Sequence, residues 1–177
     1  RLYKDIDTRD EGIAMLSEFL SMLTLPKDGK PNAADPFWNS TALSLSLACA
    51  LILFESAKDE KDINLTNLIN ICSSFGSSRT DKYLESILEF IPEDSLCAVN
   101  LRPILNAAEK TKASIQVSLF SFLSMFVTNT KLQTMLSESD FTFDELASKR
   151  IALFIVIPDE SNSHAEIISE FIKQSYQ

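Results

Sequence analysis

The residues with the clearest chemical potential stand at the end of the chain's most apolar run. Asp159-Glu160 follows Ile151 to Pro158. An acidic pair at the C-terminal end of a buried strand is where a nucleotide-binding sheet could hold a metal ion. The alternative reading is a loop or helix-capping role, which the preceding proline favours. Hydrolysis of a nucleotide also needs a phosphate loop, with glycines leading into Gly-Lys-Ser/Thr. Only Gly12, Gly29 and Gly76 are present, and none opens such a turn. His164 is the single histidine. That removes paired-histidine metal sites and most imidazole acid–base schemes, and leaves His164 as an ordinary residue near a helix start. Cys49, Cys72 and Cys97 share no Cys-x-x-Cys spacing. They read as buried free thiols of a reducing compartment. No catalytic residue, metal ligand or bound cofactor is therefore expected in this stretch of chain, and no enzymatic activity.

Charge points instead to recognition. Sixteen Lys and Arg against twenty-five Asp and Glu give a net charge of −9, with a pI near 4.6. Nucleic-acid affinity depends mainly on cations that neutralise phosphates, so this balance disfavours tight nonspecific DNA binding. It suits the attraction of a basic protein. The carboxylates fall in short groups: Asp5/Asp7/Asp10/Glu11, Asp59/Glu60/Asp62 and Glu93/Asp94. Each reads first as a solvated turn or a helix start, where negative charge complements the helix dipole. Loops carry recognition more often than packed helices do. Partner contacts are therefore assigned to the loops 58–62 and 73–80, with Asp59, Glu60, Asp62, Arg79 and Asp81 as the contact residues. Lys110 and Lys112 are the candidates for a DNA contact.

Most of the chain has helical periodicity. Thr8-Arg9-Asp10-Glu11 is a capping box ahead of a helix with Ile13, Leu16, Leu20 and Leu23 on one face. Asp35-Pro36 starts a second helix, apolar on most sides from Leu43 to about residue 58, which reads as the centre of a bundle. Its apolar stretch Ala42 to Phe54 is short for a bilayer, which takes about 20 residues. Asn64 caps a helix with Leu65, Leu68, Ile69 and Cys72; Ser73 to Ser78 reads as a flexible Gly/Ser linker. Tyr83 to Leu88 marks a further helix, and another begins near Asp94, kinked or divided by Pro103. From Lys110 to about Val127, Ile115, Leu119, Phe122 and Phe126 form one stripe, widened by Phe120, Leu123 and Val127 into a core face. A short helix from Thr130 to Leu136 and a second capping box, Thr142 to Glu145, precede the apolar strand. The chain ends on an amphipathic helix with Ile167, Ile168, Phe171 and Ile172. The fold class is mainly α: a bundle of about seven helices (residues 1–148), followed by one strand and one helix (residues 149–177). A strand with one helix is half of a βαβ unit, so the second segment reads as a remnant of a larger ATPase sheet.

Four segments, in order, resemble the TraG/TrwB-like coupling proteins of type IV secretion, especially those of Gram-positive conjugative elements. They are Asp35-Pro36-Phe37-Trp38 with its Ala/Leu-rich helix, Ala107 to Ile115 with Lys110-Thr111 and Ser114, Leu132 to Phe141 ending in Ser139-Asp140-Phe141, and Ala152 to Asp159. The resemblance runs from about residue 10 to residue 177.

The resemblance implies an all-α domain inserted in a RecA-like ATPase, cytoplasmic in a membrane-anchored, hexameric parent. ATP and Mg²⁺ would belong to the parent, with the ATP-binding loop before this stretch and the second acidic motif after it. The implied function is recruitment of the relaxase and accessory relaxosome proteins for DNA transfer. The alternative is a contact with single-stranded DNA in the translocation channel of the same ATPase.

Overall fold

The computed structural model describes residues 9–24, 36–137, 145, 148–150, 152 and 154. The chain divides into two compact units, Arg1–Glu138 and Ser139–Gln177. The sequence had put the change of segment at 148/149.

The regular elements of the first unit's described residues are all helical: α1 (Arg9–Thr24), α2 (Pro36–Ser56), a 3-10 turn (Glu60–Asp62), α3 (Leu65–Ser74), α4 (Ser78–Leu88), α5 (Leu96–Leu105), α6 (Glu109–Thr128) and α7 (Thr130–Ser137). The expected helical bundle is present. Three helices begin on side-chain caps, each satisfying a backbone N–H that the first turn leaves unpaired. Asn64 accepts from the amide of Asn67 (2.9 Å), Ser77 from Thr80 (3.3 Å) and Ser95 from Ala98 (3.2 Å).

α2 is the axis of the unit. It packs against α1, α3, α5 and α6, and ten of its residues between Ala42 and Phe54 are buried. The alternation from Leu43 to Leu47 looks strand-like, but a helix buried on most sides needs no single polar face. Ser46 is the polar residue in this stretch of core, and its hydroxyl donates to the Ala42 carbonyl at 2.9 Å. At 21 residues, α2 is long and apolar enough to cross a membrane, more so than its Ala42–Phe54 stretch suggested. Its packing against four helices accounts for that apolarity as core.

Leu16, Leu20 and Leu23 of α1 are buried as the periodicity predicted, and so are Ile115, Leu119, Leu123 and Phe126 of α6. Phe120 is not: it is exposed and stands off the core stripe. Pro103 does not divide α5 but lies inside it, in its last turns. The N–H it lacks would have met the carbonyl of Val99, an exposed residue.

In the second unit, Lys149 Nζ lies 2.6 Å from Glu145 Oε1, an i,i+4 ion pair. The expected strand and final helix lie outside the described residues, apart from Arg150, Ala152 and Phe154, which have no regular secondary structure. Asp159, Glu160 and His164 also lie outside them.

Candidate partner-docking surfaces

The acidic residues chosen from sequence occupy two places. Asp59, Glu60 and Asp62 form the turn between α2 and α3. The amide of Lys61 donates to Asp59 Oδ1 (3.1 Å), and the amide of Asp59 donates to Asp62 Oδ2 (3.3 Å). These two reciprocal bonds are a capping box. Asn64 and Asn67 brace the turn through their amide groups, which donate to the carbonyls of Lys61 and Asp62 (2.9 and 2.8 Å). Asp59 and Asp62 therefore build the turn as well as charging it. The Glu60 side chain is exposed and makes no hydrogen bond or ion pair among the described residues, while its carbonyl accepts from the amide of Ile63 at 3.1 Å.

Arg79 and Asp81 belong to the first turn of α4, beside the corner between α3 and α4. The segment 73–78 is a tight turn rather than a flexible linker. α3 continues to Ser74, Phe75 is fully buried, and Gly76 turns the chain at φ +82°. The Gly76 amide donates to Asp81 Oδ1 at 3.0 Å, and the Ser77 hydroxyl donates to Thr80 Oγ1 at 2.9 Å. Asp81 thus closes the corner, while Arg79 extends into solvent.

α3 separates these groups. Its ten residues span about 15 Å at 1.5 Å per residue. It runs antiparallel to α6. Near its start, the Thr66 hydroxyl donates to the Gln133 carbonyl (2.8 Å), just past the end of α6. Beyond its end, a Cβ on Gly76 would lie 2.7 Å from Gln116 Oε1, in the first half of α6. Asp59, Glu60 and Asp62 therefore mark one end of the bundle, and Arg79 and Asp81 the other.

Lys110 and Lys112 stand in the first turn of α6. Lys110 is exposed. Lys112 is only 8% exposed, with its ammonium 3.4 Å from Glu109 Oε1. Its stem covers core surface, which leaves Lys110 as the cation offered outward from this pair.

The cysteines are core thiols. Cys49 and Cys72 are buried and Cys97 is half-buried. A side-chain hydrogen bond with Cys72, then burial, pushes the Cys49 thiol well above its ordinary range. Burial, then the charge of Glu55, pushes Cys97 up to about 11. Both stay protonated and unreactive near neutrality. Among the described residues no three His, Cys, Asp or Glu side chains gather to hold a metal ion.

Periodicity reasoning passed over a third surface. Tyr83 of α4, Phe90 of the α4–α5 corner and Val99 of α5 are 54%, 86% and 56% exposed. The signal was present in α5, whose ten residues hold only two polar side chains, Asn100 and Arg102, although the helix covers only one flank of α2.

The family model for type IV secretory system conjugative DNA transfer matches residues 4–177. No curated protein and no solved structure matches the chain. The match takes in both units, and on that ground the chain belongs to the type IV secretory system conjugative DNA transfer family.

Proposed function

We propose that this chain is the substrate-recruitment domain of a coupling protein, a cytoplasmic module that docks the relaxase and accessory relaxosome proteins for transfer. The observation that carries this reading is an acidic helical bundle, net charge −9, within a conjugative DNA transfer family. DNA-processing proteins are commonly basic, and an acidic module steers such partners toward itself. The domain binds and does no chemistry of its own. Nucleotide hydrolysis, with ATP and Mg²⁺, belongs to the rest of a membrane-anchored, hexameric parent.

The contact with single-stranded DNA has less support. Such grooves combine a run of cations with exposed aromatic platforms. Here Lys110 stands next to Glu109, and Lys112 is buried against it.

Calorimetry separates the two. The chain is titrated with the relaxase and the accessory protein of the same element, with single-stranded origin DNA as the parallel titrant. Heat with a protein and none with DNA is the expected result. Heat with DNA alone, lost at modest salt, would replace the docking reading by the channel reading. Within the docking reading, charge reversal at Glu60 tests the α2–α3 turn without touching its capping box. Unchanged affinity would exclude that turn from the contact.

A further inference from the structure

α4 and α5 pack against each other and are joined by a seven-residue corner, 89–95. Their inward faces are spent: Leu84, Ala98, Leu101, Ile104 and Leu105 are buried. Their outward side is also apolar. Tyr83 and Phe90 are seven residues apart, two helical turns, so they follow the same flank of α4 into the corner. Leu96 and Val99, at i and i+3, form an outward stripe on α5 opposite Leu101. Among the described residues of the first unit, Phe90 is the most exposed large apolar side chain, at 86%. The amide of Phe90 donates to the Ile87 carbonyl at 3.0 Å and that of Ser95 to Pro92 at 3.1 Å, so the corner is a hydrogen-bonded turn.

The charge of this shoulder is predominantly negative. Between residues 81 and 95, Asp81, Glu85, Glu89, Glu93 and Asp94 face a single cation, Lys82. Asp81 is bonded to Gly76 and Glu93 is paired with Arg102 at 3.3 Å. Glu85 and Glu89 are exposed and have no cationic partner among the described residues. An exposed aromatic anchor beside free carboxylates is complementary to a segment with apolar residues on one face and Lys or Arg on the other.

We propose that the α4–α5 shoulder docks a basic amphipathic segment of a relaxosome protein, with Phe90 as the apolar anchor and Glu85 and Glu89 as the charge complement. This rests on the recruitment reading and names the surface and the chemistry of its partner.

The test titrates three forms of the whole chain with the relaxase and accessory protein: wild type, Phe90→Ala, and the double variant Glu85→Lys/Glu89→Lys. All three positions are exposed, so each form should keep the wild-type circular dichroism and melting temperature. The expected result is at least about a tenfold rise in Kd for Phe90→Ala, as for an interface anchor. A comparable rise is expected for the double variant, shrinking as salt is added. Wild-type binding that both variants retain would overturn the shoulder and leave the recruitment reading standing. A loss with Phe90→Ala alone would overturn the basic chemistry assigned to the partner. Absence of wild-type binding to either protein would remove the recruitment reading, and the shoulder with it. Sedimentation of the chain alone is the remaining arm: a wild-type dimer dissolved by Phe90→Ala would make the shoulder a contact between copies and overturn the proposal.

Discussion

Lys112 shows how far a residue's type can mislead about its role. Its position beside Lys110 suggested a cationic pair, but the helix turns Lys112 inward and leaves its ammonium beside a solvated carboxylate. Glu109 is 91% exposed at its side chain, so the ion pair contributes little and the buried stem carries the stabilisation. Lys112→Met keeps the stem and should change the unfolding free energy by less than about 0.5 kcal/mol, whereas Lys112→Ala should lose about 1–2 kcal/mol. Urea denaturation of both variants checks this; equal losses would mean that the ammonium matters more than the stem. The cysteines were legible as free thiols from their spacing, but their environment was not, because it is built by three helices distant in sequence. Cys97 binds its proton more tightly in the folded chain, with its value raised from 9.0 to about 11. The sign follows from linkage: the folded state holds the extra proton, so this contribution is complete below pH 9 and disappears as pH rises toward about 11. The urea midpoint should fall across that window, and native alkylation should stay slow at pH 8. A Cys97→Ser variant should flatten the fall; an equally steep fall in the variant would remove the thiol as its cause.

At the scale of the elements, the readable parts were those in which one residue acts on its own neighbours. Asn64 caps α3 as expected, and the 3.6-residue period placed the core faces of α1 and α6. The α3–α4 corner was misread because its composition, two serines, a phenylalanine, a glycine and two more serines, resembles a linker. Whether such a segment is tight depends on where Phe75 goes, and that is decided by helices elsewhere in the chain. The same holds for Gln133, whose side-chain amide donates to the carbonyls of Phe126 and Val127 (3.0 and 2.9 Å) and closes the end of α6. The corner gives two separable predictions. Phe75→Ala removes a fully buried ring and should cost about 3–5 kcal/mol. Gly76→Ala forces a side chain into φ +82°, costing about 1–2 kcal/mol, and presses a Cβ on the flexible end of Gln116. Adding Gln116→Ala should recover the contact part of the Gly76→Ala loss and leave the backbone part. Full recovery in the double variant, measured by thermal unfolding, would mean that the backbone strain is absent.

For the whole molecule, fold class was legible because an all-helical pattern with one helix apolar on most sides permits few arrangements other than a bundle around that helix. The distance between the two loops assigned to partner contacts was not: α3 holds Asp59, Glu60 and Asp62 about 15 Å from Arg79 and Asp81, a separation that depends on how the helix is oriented in the bundle. Charge is the property that reads the same before and after folding. A net charge of −9 means the compact chain is under self-repulsion that salt relieves, since screening acts over about 10 Å at 0.1 M. Raising salt from about 0.05 to about 0.3 M should therefore raise the melting temperature of the chain while weakening its complex with a basic partner. These opposite responses separate the role of charge in recognition from its role in folding. They also bear on the two compact units. Residues 1–138 contain α1 to α7 and every core residue named above, so a chain ending at 138 should unfold in one cooperative transition and keep the opposed salt responses. If the shortened chain folds but no longer binds the relaxase or accessory protein, the recruitment surface includes residues beyond 138. In that case the α4–α5 shoulder is not sufficient for docking.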